Sequence, residues 1–307
     1  MNQVEQLTEI LAREGAEALG WERGRPGGPV ARTLLCPAAR RIAREFAACD
    51  EVFATCALPD AARWTLDHFS AELEVAGLDR VPRRGPILLV ANHPGLTDAV
   101  GLIAALDRPD VRIVAADYPF LHAMRGLAPR LIFLGASGTS QLSWIRAVAR
   151  DLRHGRVVLL FPAGHLEPDP AVLGRDCALL PWSNSVALIA RLAPEAQIVP
   201  AAVSGVLSAR AFAHPLTRIR RTARDRQRVA TLLQMIDQRF REVRPRIAFG
   251  APLVAGPEGL GAALAFRMRD LISELSASTR LLPSLVREAS APYSGSGDPA
   301  KPGAAIP

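Results

Sequence analysis

The sequence predicts an α/β fold: a largely parallel central sheet flanked by helices, with an α-helical extension at the N-terminus. Two observations carry this. From residue 86 onward, short apolar runs rich in β-branched residues recur at 87–91, 111–115, 131–134, 157–161, 198–203 and 247–249. The stretches between them include helical candidates at 96–106, 141–153 and 186–192, long enough for right-handed crossovers between parallel neighbours. Before residue 80 the spacing is helical instead.

In that first segment, 1–79, Val4, Leu7, Ile10 and Leu11 share a face, Ile42 and Phe46 mark a second helix, and Asp60 caps a third that runs through Trp64 and Phe69 to Gly77. The α/β core then spans 80–255. A C-terminal helical segment follows over 256–288, with its helix at 260–276. The Gly, Pro, Ser and Ala-rich stretch 289–307 holds too few large apolar residues to fold and is expected to be a disordered tail. With 307 residues, 49% hydrophobic and 22% charged, the chain has material for one large core. Cysteines at 36, 49, 56 and 177 form no C-x-x-C pair and no zinc spacing, so reduced thiols and no metal are expected. The N-terminus, with Glu5 and Glu9, lacks the basic start and apolar stretch of a signal peptide, and no run approaches 18 apolar residues. These features predict a cytoplasmic protein, or one lying peripherally on the inner face of the membrane.

The most informative stretch is Asn92-His93-Pro94-Gly95-Leu96-Thr97-Asp98, directly after the apolar run 87–91. Loops at strand ends are where chemistry is commonly placed. On a continuous helix His93 and Asp98 would lie about 140° apart, so they can meet only if the histidine precedes the helix, and Pro94-Gly95 permits that bend. Asp98 then falls in the first helical turn, where a carboxylate is favoured. It can orient one imidazole nitrogen and leave the other as a general base.

Further pieces follow in order: Phe161-Pro162-Ala163-Gly164 after the apolar run 157–160, then Ile198 to Val203, then Ile247-Ala248-Phe249-Gly250-Ala251-Pro252. With the H-x-x-x-x-D box of His93 to Asp98, these segments, spanning roughly 78–253, resemble the glycerolipid acyltransferases, the lysophosphatidate acyltransferase-like family. The resemblance implies transfer of a fatty acyl group from an acyl-CoA or acyl carrier protein (acyl-ACP) thioester to a hydroxyl or amine. His93 would be the base and Asp98 its partner, with Asn92, Gly95, Phe161, Pro162, Ala163, Gly164 and His165 forming the substrate-binding surface. The thioester is a substrate, and no bound cofactor is implied.

The third motif departs from the family's F-P-E-G-T-R. Here it reads Phe161-Pro162-Ala163-Gly164-His165-Leu166, so the acid and the arginine are absent. Gly135-Ala136-Ser137 stands where an arginine is usual, Ser183 stands near the place of a lysine, and the chain's one lysine is Lys301. Phosphate is normally held by charge-assisted donors, so these departures predict an unphosphorylated or bulkier lipid alcohol or amine as acceptor. Arg146, Arg175 or the backbone amides of 135–138 are the available substitutes if the chain is a true lysophosphatidate acyltransferase. A catalytically lapsed module that binds acyl chains or membrane is the other alternative. Glu167 is a further candidate for the missing acid, and an amide of the Gly164 turn for an oxyanion donor. His68, His122, His154 and His214 lack partners at useful spacing and read as structural or surface residues. A serine hydrolase is disfavoured, because no G-x-S-x-G elbow occurs.

Charge is concentrated. Residues 210–246 hold eleven arginines against Asp225, Asp237 and Glu242, a surplus of eight that exceeds the chain's net +7. Val229, Leu232, Leu233, Ile236, Phe240 and Val243 recur there at 3- and 4-residue steps, predicting a helix that packs an apolar stripe on the sheet. Its basic face suits an anionic membrane surface or an acidic acyl carrier protein. Nucleic acid is not expected, since no binding motif or aromatic platform accompanies the charge.

Overall fold

The computed structural model describes residues 2–18, 28–70, 72–135, 142–177, 179–253 and 259–278. Helices α1 (Gln3–Ala18), α2 (Gly28–Thr55) and α3 (Leu58–Phe69) lead into β1 (Glu74–Ala76) and β2 (Ile87–Ala91). There follow α4 (Asp98–Leu106), β3 (Val111–Ala115), α5 (Pro119–Ala123), β4 (Leu131–Phe133), α6 (Leu142–Arg153) and β5 (Val157–Leu160). Then come α7 (Pro170–Leu173), α8 (Ser185–Leu192), β6 (Gln197–Ser204), α9 (Ala209–Phe212), α10 (Ala223–Ile236), β7 (Arg246–Phe249) and α11 (Leu260–Ser278).

The strands form one sheet in the order β1-β7-β6-β2-β5-β3-β4. Five neighbouring pairs are parallel and β6–β7 is antiparallel, so β7 and β1 run against the other five strands at one edge. Strand β2 lies at the centre and every residue of it is buried. Period-2 alternation sends Ile87, Leu89 and Ala91 into the core shared with α3 and α4, and Leu88 and Val90 into the opposite core beneath α6 and α8. A third cluster joins Leu7 of α1 and Ile42 and Phe46 of α2 to Ala123, Met124 and Met235. The N-terminal helices therefore rest on α5 and α10.

All six expected strands are present, but two expectations at the element level need correction. The third helix stops at Phe69, where the Ser70 amide closes on the Leu66 carbonyl, and residues 74–76 form β1 instead of continuing to Gly77. All three side chains of β1 are exposed, so no apolar alternation announces it, and its partner β7 lies some 170 residues away. The second correction concerns α10. It ends at Ile236, before Phe240 and Val243, and buries Gln227, Ala230, Gln234 and Met235, while Leu232 is 49% exposed. Its inner face meets loop carbonyls and amides, which glutamines satisfy and leucines cannot.

The tail 289–307 lies outside the described residues, as do 136–138, 256–258 and 279–288. Cys36, Cys49 and Cys56 are free thiols. Among the described residues no helix is long and apolar enough to cross a membrane.

Candidate active site

Beyond Ala91 the pairing of β2 with β6 is prolonged by a side chain. Asn92 donates through Nδ2 to the Val203 carbonyl at 2.9 Å and accepts the Val203 amide on Oδ1 at 2.7 Å, with no exposed surface of its own. His93 follows and is clamped at its peptide: its amide donates to the Glu167 carboxylate at 3.0 Å, and its carbonyl accepts the Glu167 amide at 2.7 Å. The chain then bends through Pro94-Gly95. A Cβ on Gly95 would stand 2.9 Å from Val206 Cγ2, so a larger residue would push this bend off the loop that follows β6.

Asp98 opens α4 and accepts His93 Nδ1 at 2.7 Å, the Gly95 amide at 3.0 Å and the Ala99 amide at 2.6 Å. Its side chain is 1% exposed and that of His93 is 30% exposed. With Nδ1 bound to the carboxylate, Nε2 is left as the acceptor nitrogen of a neutral imidazole. The Phe161 ring stacks on the imidazole, with centroids 4.5 Å apart and planes 24° apart, which fixes the direction of Nε2. Burial opposes protonation of His93, but the charge and hydrogen bond of Asp98, helped by Glu167, outweigh it and hold the imidazole above its ordinary value.

The loop after β5 supplies the rest. Pro162 is buried and its carbonyl accepts the Ser183 amide at 3.1 Å. Gly164 has φ +69° with no atom within 4 Å of its missing Cβ, so the constraint is conformational. Its amide donates to the Phe161 carbonyl at 3.1 Å and is spent inside the turn. Ala163 and His165 are partly buried beside it. Burial, then Arg224, Arg228 and His93, push the His165 pKa down to about 4, so this imidazole is neutral at physiological pH. Glu167 is fully buried and accepts the Leu180 amide and Trp182 Nε1, each at 3.0 Å, besides the His93 amide. Desolvation raises its pKa to about 7 despite these donors. The carboxyl is committed to holding His93, Leu180 and Trp182. Two residues on, Asp169 accepts the amides of Ala171, Gly205, Val206 and Leu207 and the Ser204 hydroxyl, tying the loop after β5 to the loop after β6.

A histidine–carboxylate pair at the end of a central strand, with an aromatic ring stacked on the imidazole, lies inside a match to a protein family. Residues 72–204 fit the family model described as Acyltransferase. This stretch, under half of the chain, is similar to that family. The chain is 29% identical over 101 residues to the lyso-glycine lipid O-acyltransferase of Bacteroides thetaiotaomicron, and 29% identical over 103 residues to that of Phocaeicola vulgatus. Those stretches cover 32% of this chain and only 37% and 36% of the two relatives. Among solved structures, the 1-acyl-sn-glycerophosphate (LPA) acyltransferase PlsC from Thermotoga maritima aligns over 90% of this chain and 94% of its own, with TM-score 0.47 and 15% identity.

Several residues of the candidate site escape sequence reasoning. Gln227, 2% exposed on α10, donates through Nε2 to the carbonyls of Pro94 at 2.7 Å and Glu167 at 2.8 Å, pinning the His93 loop and the Glu167 loop to one helix. Arg224 and Arg228 flank it and act on His165. The lone signal in the sequence is a glutamine on the apolar side of a basic helix. Of the substitutes named from sequence, Arg146 is exposed on α6, and Arg175 pairs with Asp176 at 3.7 Å. Arg175 also lines a cavity of about 930 Å³ with Trp182, Ala187, Leu264 and Met268 that excludes both His93 and Asp98. The other histidines are engaged elsewhere: His68 with Glu45, His122 with Asp117, His154 with the Arg150 carbonyl and His214 with the Leu216 amide. Among the described residues no group of three or more His, Cys, Asp and Glu is placed to hold a metal ion.

Proposed function

We propose that this chain transfers an acyl group from a thioester, acyl-CoA or acyl carrier protein, to the hydroxyl of a lipid acceptor. The observation that carries the reading is the 2.7 Å contact between His93 Nδ1 and the buried Asp98 carboxylate at the end of β2. The acceptor hydroxyl donates to Nε2 as its oxygen attacks the thioester carbonyl. The imidazolium that forms is stabilised by Asp98. Collapse of the tetrahedral intermediate breaks the C–S bond, and the departing thiolate takes the proton back from His93. No acyl-enzyme is required. A hydroxyl is preferred over an amine because both relatives are named O-acyltransferases.

The acceptor would reach this site from a bilayer surface. Around the turn Pro215–Ile219, Leu216 and Ile219 are 49% and 75% exposed, interleaved with the exposed Arg218 and Arg221. Apolar tips among arginines suit insertion at an anionic interface.

The test follows free thiol released from palmitoyl-CoA, with each of a panel of lysolipids present in turn. Acceptor-dependent release by the wild type, and its loss in a folded His93→Ala variant, is the expected result, since a general base contributes about 10²–10⁴-fold. Near wild-type turnover in that variant would remove the assignment.

A further inference from the structure

We infer that Arg224 and Arg228 of α10 form a subsite for an oxyanion, carboxylate or phosphate, carried by a substrate beside the acyl-accepting site. The inference rests on the acyl-transfer reading and supplies what the motifs lack. The expectation that the missing motif cations leave the site without basic contacts does not take account of this helix.

The placement follows from helix geometry. Gln227 fixes the rotation of α10 by reaching the Pro94 and Glu167 carbonyls. At 3.6 residues per turn, Arg224 and Arg228 lie about 40° apart on successive turns, about 60° and 100° round from Gln227. They therefore stand at the rim between the buried face of the helix and solvent. His165 and Tyr118 both feel the two guanidinium charges, so the pair stands near the third-motif loop and the N-terminal end of α5. Gln227, one position before Arg228, bonds the carbonyls of Pro94, the neighbour of His93, and Glu167, so the pair lies along the edge of these two loops.

The charges are held at a cost. Arg228 is 24% exposed, and burial followed by the neighbouring Arg224 lowers its affinity for its own proton. Of the nearby carboxylates, Asp225 pairs with Arg228 at 3.3 Å and also accepts the Thr222 hydroxyl, and Glu14 acts on Tyr118. Among the described residues Arg224 forms no ion pair, and its Nε is buried without a hydrogen-bond partner. Two like charges that repel, one of them without a counter-charge, are what a bound oxyanion would neutralise, with planar guanidinium forks matched to carboxylate or phosphate.

The experiment compares acceptors of equal chain length bearing carboxylate, phosphate or uncharged headgroups. In Arg224→Gln/Arg228→Gln the preference in kcat/KM for the anionic over the uncharged acceptor should fall tenfold or more, as expected for loss of charge-assisted bonds. Arg228→Lys should restore part of it. A rise in KM for the thioester, with acceptor preference intact, would assign the same subsite to a phosphate of the donor. A binding arm is independent of turnover: in His93→Ala, inorganic phosphate should shift the His165 ring resonances in NMR spectra, and the double arginine variant should abolish that shift. It decides the subsite even if no acceptor supports acyl transfer. Unchanged acceptor preference and donor KM in the double variant, or no phosphate-dependent shift at His165, would overturn the inference.

Discussion

Replacing Glu167 by Gln separates the positioning of His93 from its chemistry. One carboxylate oxygen takes the His93 amide and the other takes the Leu180 amide and Trp182 Nε1. A glutamine keeps one acceptor oxygen and turns an NH2 toward a donor on the other side, so one or two buried donors lose their partner. Each costs about 1–3 kcal/mol. Against this stands the desolvated charge. The folded-state pKa of Glu167 is raised from 4.5 to about 7, so the folded protein holds this proton more tightly than the unfolded chain does. The stability it contributes is therefore fully present below pH 4.5 and is lost as pH rises toward 7. The full difference is about 3 kcal/mol. Urea unfolding of wild type and Glu167→Gln across pH 4.5 to 8 reads this term together with the part of the His93 shift that Glu167 supplies, which has the same sign. The gap between the two should be widest at low pH and should narrow through pH 7. Turnover should fall tenfold or more even where the variant is folded, because the His93 peptide has lost its clamp. A constant stability gap across this range, or wild-type turnover in the folded variant, would refute the reasoning.

Because Asp98 holds the His93 pKa above its ordinary value, kcat/KM should rise with pH as the imidazole loses its proton, with a midpoint above 6.5. Asp98→Asn should move that limb to lower pH and reduce turnover about 10²–10⁴-fold; a rate that falls with rising pH would contradict a general base. For the interfacial turn, Leu216→Asp/Ile219→Asp should weaken cosedimentation with anionic vesicles tenfold or more, since each apolar side chain contributes about 1.5–3 kcal/mol when fully buried. Arg218→Gln/Arg221→Gln should instead lower the salt sensitivity of binding. Vesicle binding unaltered in both variants would place the docking surface elsewhere.

The core strands were legible because each interior run is apolar on both faces and bounded by turn residues: 87–91, between Pro86 and Pro94-Gly95, is found as β2 residue for residue. The His93–Asp98 contact was legible too, since a five-residue gap containing Pro-Gly has few ways to bring an imidazole and a carboxylate together. Strand β1 was not, because its side chains all face solvent and its partner is remote in sequence. The role of Glu167 was visible only as an acid near the expected place. Its partners, the His93 peptide and Trp182, are brought together by pairing of distant segments, which no local spacing encodes. Arg224 and Arg228 were seen as part of a charged surface, while their position beside His165 depends on the rotation of α10. Gln227 and Gln234 set that rotation through bonds to loop backbone at Pro94, Glu167, Val206 and Ser208.

The same buried polar contacts explain how a third motif lacking its acid and arginine can coexist with an intact His93–Asp98 pair. His93 is not held by the residues that have diverged. Asn92 locks the chain before it to β6, Glu167 brackets its peptide, Gln227 ties both loops to α10, and Phe161 stacks on its ring. Ala163, Leu166 and Ser183 contribute none of these side-chain contacts. Substitution there changes what the base meets and leaves its aim unchanged, so the acceptor contacts can shift to another element. Helix α10 is already fastened to both loops, and a cation placed one turn along it moves with them. With the proposed subsite at Arg224 and Arg228, the divergence of the motif and the surplus of arginines between 210 and 246 become two sides of one arrangement, in which charge once expected on the loops is carried by the helix that holds them.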